Sequence, residues 1–147
     1  MRSIALLLLL TFSAGSLAVE SYNSQPSVDA AYATYLRVLQ NRVKESGLAI
    51  YSSETRKLLA ALTISDAQQA AELREIEAVY SNRVVRESGD LGVLLFPGSK
   101  RVPPYFFRRE RGAWTIDLSV MRRVIGFDNT NQWYVRDKTS EFNALLD

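Results

Sequence analysis

The sequence has no cysteine and no histidine among its 147 residues. Without cysteine there is no disulfide framework, no thiolate metal site, no cysteine nucleophile and no lipobox thiol to acylate. Without histidine the commonest general base and the commonest metal ligand are gone. Any Ser-His-Asp or Cys-His arrangement goes with them. Carboxylates do not fill the gap: no cluster has metal-ligand spacing, and Glu72, Glu75 and Glu77 read as the solvated face of a helix. No cofactor is implied. Gly89-x-x-Gly92 falls in a hairpin rather than before a helix, so it is no phosphate loop. There is no internal repeat, and no low-complexity tract beyond the N-terminal apolar run.

That run, residues 1–18, reads as an export signal. Arg2 supplies the positive n-region, Ile4 to Phe12 the apolar core, and Ser16-Leu17-Ala18 a small-x-small cleavage site. A spanning helix needs ~20 apolar residues, and Thr11, Ser13, Gly15 and Ser16 interrupt this one early. Cleavage leaves Val19 first, with residues 19–26 a polar, mobile leader and residues 27–147 one α+β domain. The expected compartment is the periplasm or the outside of the cell, with no stable membrane span after cleavage. With 18 Lys+Arg against 16 Asp+Glu the chain is near neutral, but unevenly so. Residues 83–123 hold nine basic and four acidic residues, whereas residues 20–81 hold six and eight.

Periodicity divides the domain into helices followed by strands. Ser27 offers an N-cap, and Val28, Tyr32, Tyr35, Leu36, Leu39 and Val43 form one apolar stripe, with Gly47 as the stop. A second helix starts near Ser53 around Leu58, Leu59 and Leu62. Ser65-x-x-Gln68 is a capping box opening a third, whose apolar positions are Ala67, Ala70, Ala71, Leu73, Ile76, Val79 and Tyr80. From residue 82 the period becomes two. Arg83 to Glu87 and Leu91 to Phe96 flank a Ser88-Gly89-Asp90 turn, and the nearly all-apolar second run suits a central strand. After a proline-rich loop, Tyr105 to Glu110 and Ala113 to Leu118 form a hairpin around Arg111-Gly112. The spacing then predicts a short helix over Ser119 to Ile125, a turn-rich stretch, a short strand at Trp133 to Val135 and a final helix over Ser140 to Leu146.

Several segments carry a likeness beyond pattern. They are Ala31-x-x-Thr34-Tyr35-Leu36, Tyr51 to Leu59, Gly89-Asp90-Leu91-Gly92-Val93, and Phe107 to Asp117 with its Gly112-Ala113-Trp114-Thr115-Ile116-Asp117 ending. In this order, over residues 28–118, the chain resembles the nuclear transport factor 2-like superfamily. The resemblance implies a cone: N-terminal helices in the concave face of a strongly curved antiparallel sheet, with an apolar pocket at the open end. Its members include ketosteroid isomerases, polyketide cyclases and dehydratases, and also exported domains without known activity. Enzymatic members commonly place His, Asp or Tyr in the pocket, and this chain has no His.

Each candidate residue also has a plain structural role. Asp117 is a lone carboxylate that an apolar cavity would tune towards general-base work. Alternation, however, sets it opposite Trp114 and Ile116, at a strand end where it caps the following helix. Tyr32 and Tyr35 are oxyanion donors if they point into a cone and core residues otherwise. Phe106, Phe107, Trp114 and Trp133 line a pocket or, as aromatic residues on strands commonly do, fill the core. Arg108, Arg109, Arg111, Arg122 and Arg123 make a basic surface for an anionic target, or a solvated hairpin tip with Glu110 as partner. Nucleic acid is not the expected target of an exported chain. The expectation is therefore a non-catalytic binding or accessory domain. It holds an apolar ligand near Tyr35, Phe107 and Trp114, or docks an anionic or protein partner through its arginines. The alternatives are an isomerase- or cyclase-like enzyme using Asp117 and a tyrosine, and a homodimer paired through the outer sheet face.

Overall fold

The computed structural model describes residues 21–147. The expected signal peptide lies outside the described residues. The segment expected as a mobile leader is hydrogen-bonded in its described part. Gln25 exchanges both backbone bonds with Trp114, and the Tyr22 carbonyl accepts from the Ile50 amide at 2.9 Å.

The described residues form an α+β fold with four α-helices, a four-stranded antiparallel sheet and a separate two-stranded sheet. Helix α1 spans Val28–Gln40, and its Ser27 cap accepts from the Ala30 amide at 3.1 Å. The expected stripe is buried, but the helix stops before Val43 rather than at Gly47. Arg42 takes φ +53°, its amide bonds to Leu39 and that of Val43 to Val38. This double bond pattern is a Schellman closure with arginine in the place glycine usually holds. Helix α2 spans Ser53–Ala60, capped by Ser52. Helix α3 spans Asp66–Glu77 and opens with the expected reciprocal Ser65–Gln68 box. Its buried residues are Gln69 and Ile76, whereas Ala67 and Ala71 are exposed. The inward face therefore runs Gln69, Glu72, Leu73, Ile76, and the expectation of a purely solvated Glu72 is corrected.

Strands β1 (Val84–Ser88), β2 (Leu91–Leu95), β3 (Tyr105–Glu110) and β4 (Ala113–Ile116) form a meander in that order. The Arg111-Gly112 tip has both φ angles positive, at +52° and +79°, the signature of a type I′ hairpin turn. Gly92 is required by packing: a Cβ there would sit 2.7 Å from the Val28 side chain and 3.1 Å from Trp114.

Alternation sends Leu94, Tyr105, Phe107, Trp114 and Ile116 to one face, where they pack with α1 in the larger core. Val93 and Phe106 point to the opposite face and pack under helix α4 (Leu118–Val124) and the C-terminal segment. Beyond α4 the expected strand at Trp133–Val135 is present, but two expectations need correcting. Ile125 leaves the helix and opens β5 (Ile125–Phe127), which pairs with β6 (Trp133–Val135). The expected final helix is a single 3-10 turn at Asn143–Leu145. No helix among the described residues is long and apolar enough to cross a membrane.

Candidate functional site

The most unusual polar arrangement centres on Glu72, midway along α3. Tyr35 reaches it from α1 and Tyr105 from the start of β3. Their hydroxyls donate to the same oxygen, Oε1, at 2.8 and 2.6 Å. The second oxygen, Oε2, has no hydrogen bond among the described residues, and no cation lies within ion-pair distance of Glu72 there. Burial pushes the Glu72 carboxyl above its ordinary range, and the charge of Glu75 adds to this. The two phenol bonds pull the other way. Tyr35 and Tyr105 are raised well above the usual phenol value, first by burial and then by the charge of Glu72. Nearby Tyr51 is pushed up to about 12 by burial and by Glu72 and Glu45.

Glu72 lines a cleft of ≈ 370 Å³ between α3, the 101–103 loop, α4 and β5. This lies at the low end of volumes that hold small ligands. The walls are Ile76, Val102, Pro103, Met121 and Phe127, the last half-exposed at 51%. Across the rim Arg101 faces Glu75 at 3.9 Å. Chemically this is a largely apolar recess with the second oxygen of Glu72 available as an acceptor and the Glu75–Arg101 pair at its rim. Both phenols are already donating to Glu72, so neither is free to stabilise an oxyanion.

The residues singled out from the sequence are distributed elsewhere, Tyr35 excepted. Tyr32 is fully buried in the larger core, with its ring 5.0 Å from that of Tyr105. Phe107 and Trp114 are likewise core residues. Asp117 is 2% exposed and lies outside the cleft. Its Oδ1 caps α4 by accepting from the Val120 amide at 3.1 Å and from the Ser119 hydroxyl at 2.5 Å. Its Oδ2 meets Arg108 at 3.3 Å. Thr55 of α2 completes this buried junction, accepting from the Leu118 amide at 2.9 Å.

The arginines do not share one face. Arg108 points to the α4 side, between Asp117 and Glu141. Its neighbour Arg109 points to the α1 side, over the Trp114 ring at 4.7 Å and near Asp90. Arg111 forms the exposed hairpin tip, and Arg122 and Arg123 lie exposed on α4, the latter 3.7 Å from Asp137. Glu110 turns away from the tip arginine and accepts from the Ser53 amide and hydroxyl at the start of α2.

Glu72, Tyr105 and the cleft are not singled out by periodicity. The one available sign is that Glu72 sits three residues after Gln69 and four before Ile76, in line with them along the helix. Among the described residues no group of three or more acidic side chains could hold a metal ion. Comparison with protein-family models, with curated proteins and with solved structures finds no match to this chain.

Proposed function

We propose that this chain is an exported, non-catalytic binding domain that holds a small apolar ligand in the Glu72 cleft. The observation that carries the reading is an apolar recess whose lining includes Glu72, with one carboxylate oxygen tied to two phenols and the other left without a partner among the described residues. Asp117 is committed to capping α4, which favours binding over isomerase-like chemistry on that residue. The division of the arginines between two sheet faces favours the cleft over the basic hairpin as the binding surface. Kinship with the nuclear transport factor 2-like superfamily, and its cone, belongs to the same proposal. It is supported by helices followed by an antiparallel meander that lays one face on α1. Export is supported by the signal-like pattern of residues 1–18.

The test uses the neutral fluorophore N-phenyl-1-naphthylamine with the chain lacking residues 1–18. Saturable fluorescence enhancement is expected, and Ala71→Trp is expected to abolish it. Ala71 lines the cleft from an exposed position on α3, so an indole there fills the recess while helix content by circular dichroism stays unchanged. Absence of saturation, or equal enhancement in the filled variant, would refute the assignment.

A further inference from the structure

The cleft chooses among ligand head groups by what its polar atoms still have to offer. A carboxylate presents about four lone-pair directions over two oxygens. Here Oε1 already accepts two phenol hydrogens, at 2.8 Å from Tyr35 and 2.6 Å from Tyr105. Oε2 is left open as an acceptor on the Glu72 side of the cleft, and the donors of the lining sit across the rim on Arg101. The charged groups facing the recess are Glu72 and Glu75 of α3 and Arg101 of the loop. Arg101 stands opposite Glu75, with its side chain two-thirds exposed, which leaves Glu72 without a counter-charge. A partly buried carboxylate lacking a cation is costly, and the cost is relieved when a cation arrives with hydrogen-bond geometry.

Resting on the cleft reading above, we propose that the ligand is an amphiphile with a primary ammonium head, seated on Oε2 of Glu72 with its tail along Ile76, Val102 and Met121. An ammonium supplies the donors and the positive charge that Glu72 lacks, Arg101 being drawn to Glu75 at the rim. A carboxylate or phosphate head would meet Glu72 with like charge, and both phenols that could have received it are occupied. An alcohol would gain one neutral hydrogen bond, about half as strong as a charge-assisted one. Glu75 at the rim adds to the attraction for a cation entering from solvent. Tyr35 and Tyr105 act as positioning residues: they hold the carboxylate through Oε1 and leave Oε2 as the oxygen without a partner among the described residues.

The experiment displaces N-phenyl-1-naphthylamine with octylamine, octanol and octanoate at neutral pH, in the wild-type chain and in Glu72→Gln. Octylamine is expected to compete roughly 10-fold or more better than octanol, the margin of a hydrogen bond to a charged group, with octanoate the weakest. In Glu72→Gln the amine-to-alcohol ratio is expected to fall towards one. The ratio is taken within each protein, so a general change in cleft affinity does not mimic the result. The wild-type ranking alone decides if the variant fails to fold. Equal competition by all three, or a preference for octanoate, overturns the ammonium assignment and leaves the apolar cleft standing. No displacement by any of them, together with no saturable fluorophore binding, removes the cleft reading and this inference with it.

Discussion

At Tyr32 a buried phenol hydroxyl has no hydrogen-bond partner among the described residues. The ring itself is well placed, with centroids of Tyr105, Tyr80, Phe96 and Phe107 between 5.0 and 6.1 Å away. An orphaned buried hydroxyl costs about 1–3 kcal/mol of desolvation that nothing returns. Tyr32→Phe keeps the ring and removes that cost. It should leave urea stability unchanged or raise it by about 1 kcal/mol; a loss exceeding that amount would mean the hydroxyl has a partner. The contrast with Tyr35, one helical turn further on, shows how far single residues were legible in the sequence. Both lie on the same apolar stripe, and the stripe correctly marks both as inward. What distinguishes them is Glu72, 37 residues beyond Tyr35, on a helix whose inward face mixes Gln69 and Glu72 with Leu73 and Ile76. Hydropathy counts those two polar positions as solvated, because it carries no information about a donor arriving from another element. The cleft was hidden for the same reason. Asp117 was more readable, since a cap is a local event: an acidic residue at a strand end accepts from the hydroxyl two positions on and the amide three positions on.

Elements with local causes matched their expected bounds closely, and elements with distant causes did not. Ser27, Ser52 and Ser65 each cap a helix, the second hairpin turns at the expected Arg111-Gly112 tip, and the first tightens the expected three-residue turn to Gly89-Asp90 by pairing Ser88 with Leu91. The end of α1 departs from this because its closing residue is Arg42, which holds a left-handed conformation that glycine adopts without steric cost. Arg42→Gly should therefore stabilise the protein by up to about 1 kcal/mol, read as a higher urea midpoint with an unchanged slope. A lower midpoint would show that the long contact from the Arg42 guanidinium to the Leu39 carbonyl, at 3.4 Å, outweighs the backbone strain. The C-terminal third was less readable. The short strand expected at Trp133–Val135 is present as β6, but its partner β5, three residues long, is too short for alternation to register, and the pair leans on Trp133, whose indole donates to the Ser99 carbonyl at 2.9 Å. In the final segment Phe142 and Leu145 are the buried pair. Their spacing of three suits one 3-10 turn, in which such positions eclipse, rather than the helix expected over Ser140 to Leu146.

A cysteine-free domain has only its packing to hold it, and here that packing is divided by the sheet into two cores. The larger one, around α1, joins residues from Val28 to Ile116. The smaller one depends on the last residues of the chain returning to the sheet. Phe142 is fully buried there, edge-on to Phe106 at 5.1 Å, with the Arg108 guanidinium 5.4 Å from its ring. Arg108 also pairs with Glu141 at 2.5 Å, and Arg86 donates to the Leu145 carbonyl at 3.2 Å. The tail is thus a wall of the molecule, clamped by one arginine from β1 and one from β3. Arg108 in turn joins this wall to Asp117 and the start of α4, so the same side chain ties the second core to the cap of its helix. Removing the ring should be felt by the whole fold. Phe142→Ala is expected to cost about 3–5 kcal/mol, the range for a large aromatic truncated in a core, with urea unfolding followed by tryptophan fluorescence and by circular dichroism. Because Trp114 sits in the larger core and Trp133 beside the smaller one, coincident transitions by both probes would show the two cores unfolding as one unit. A cost below about 1 kcal/mol, outside that core-truncation range, would show instead that the sheet keeps its second face covered without the tail.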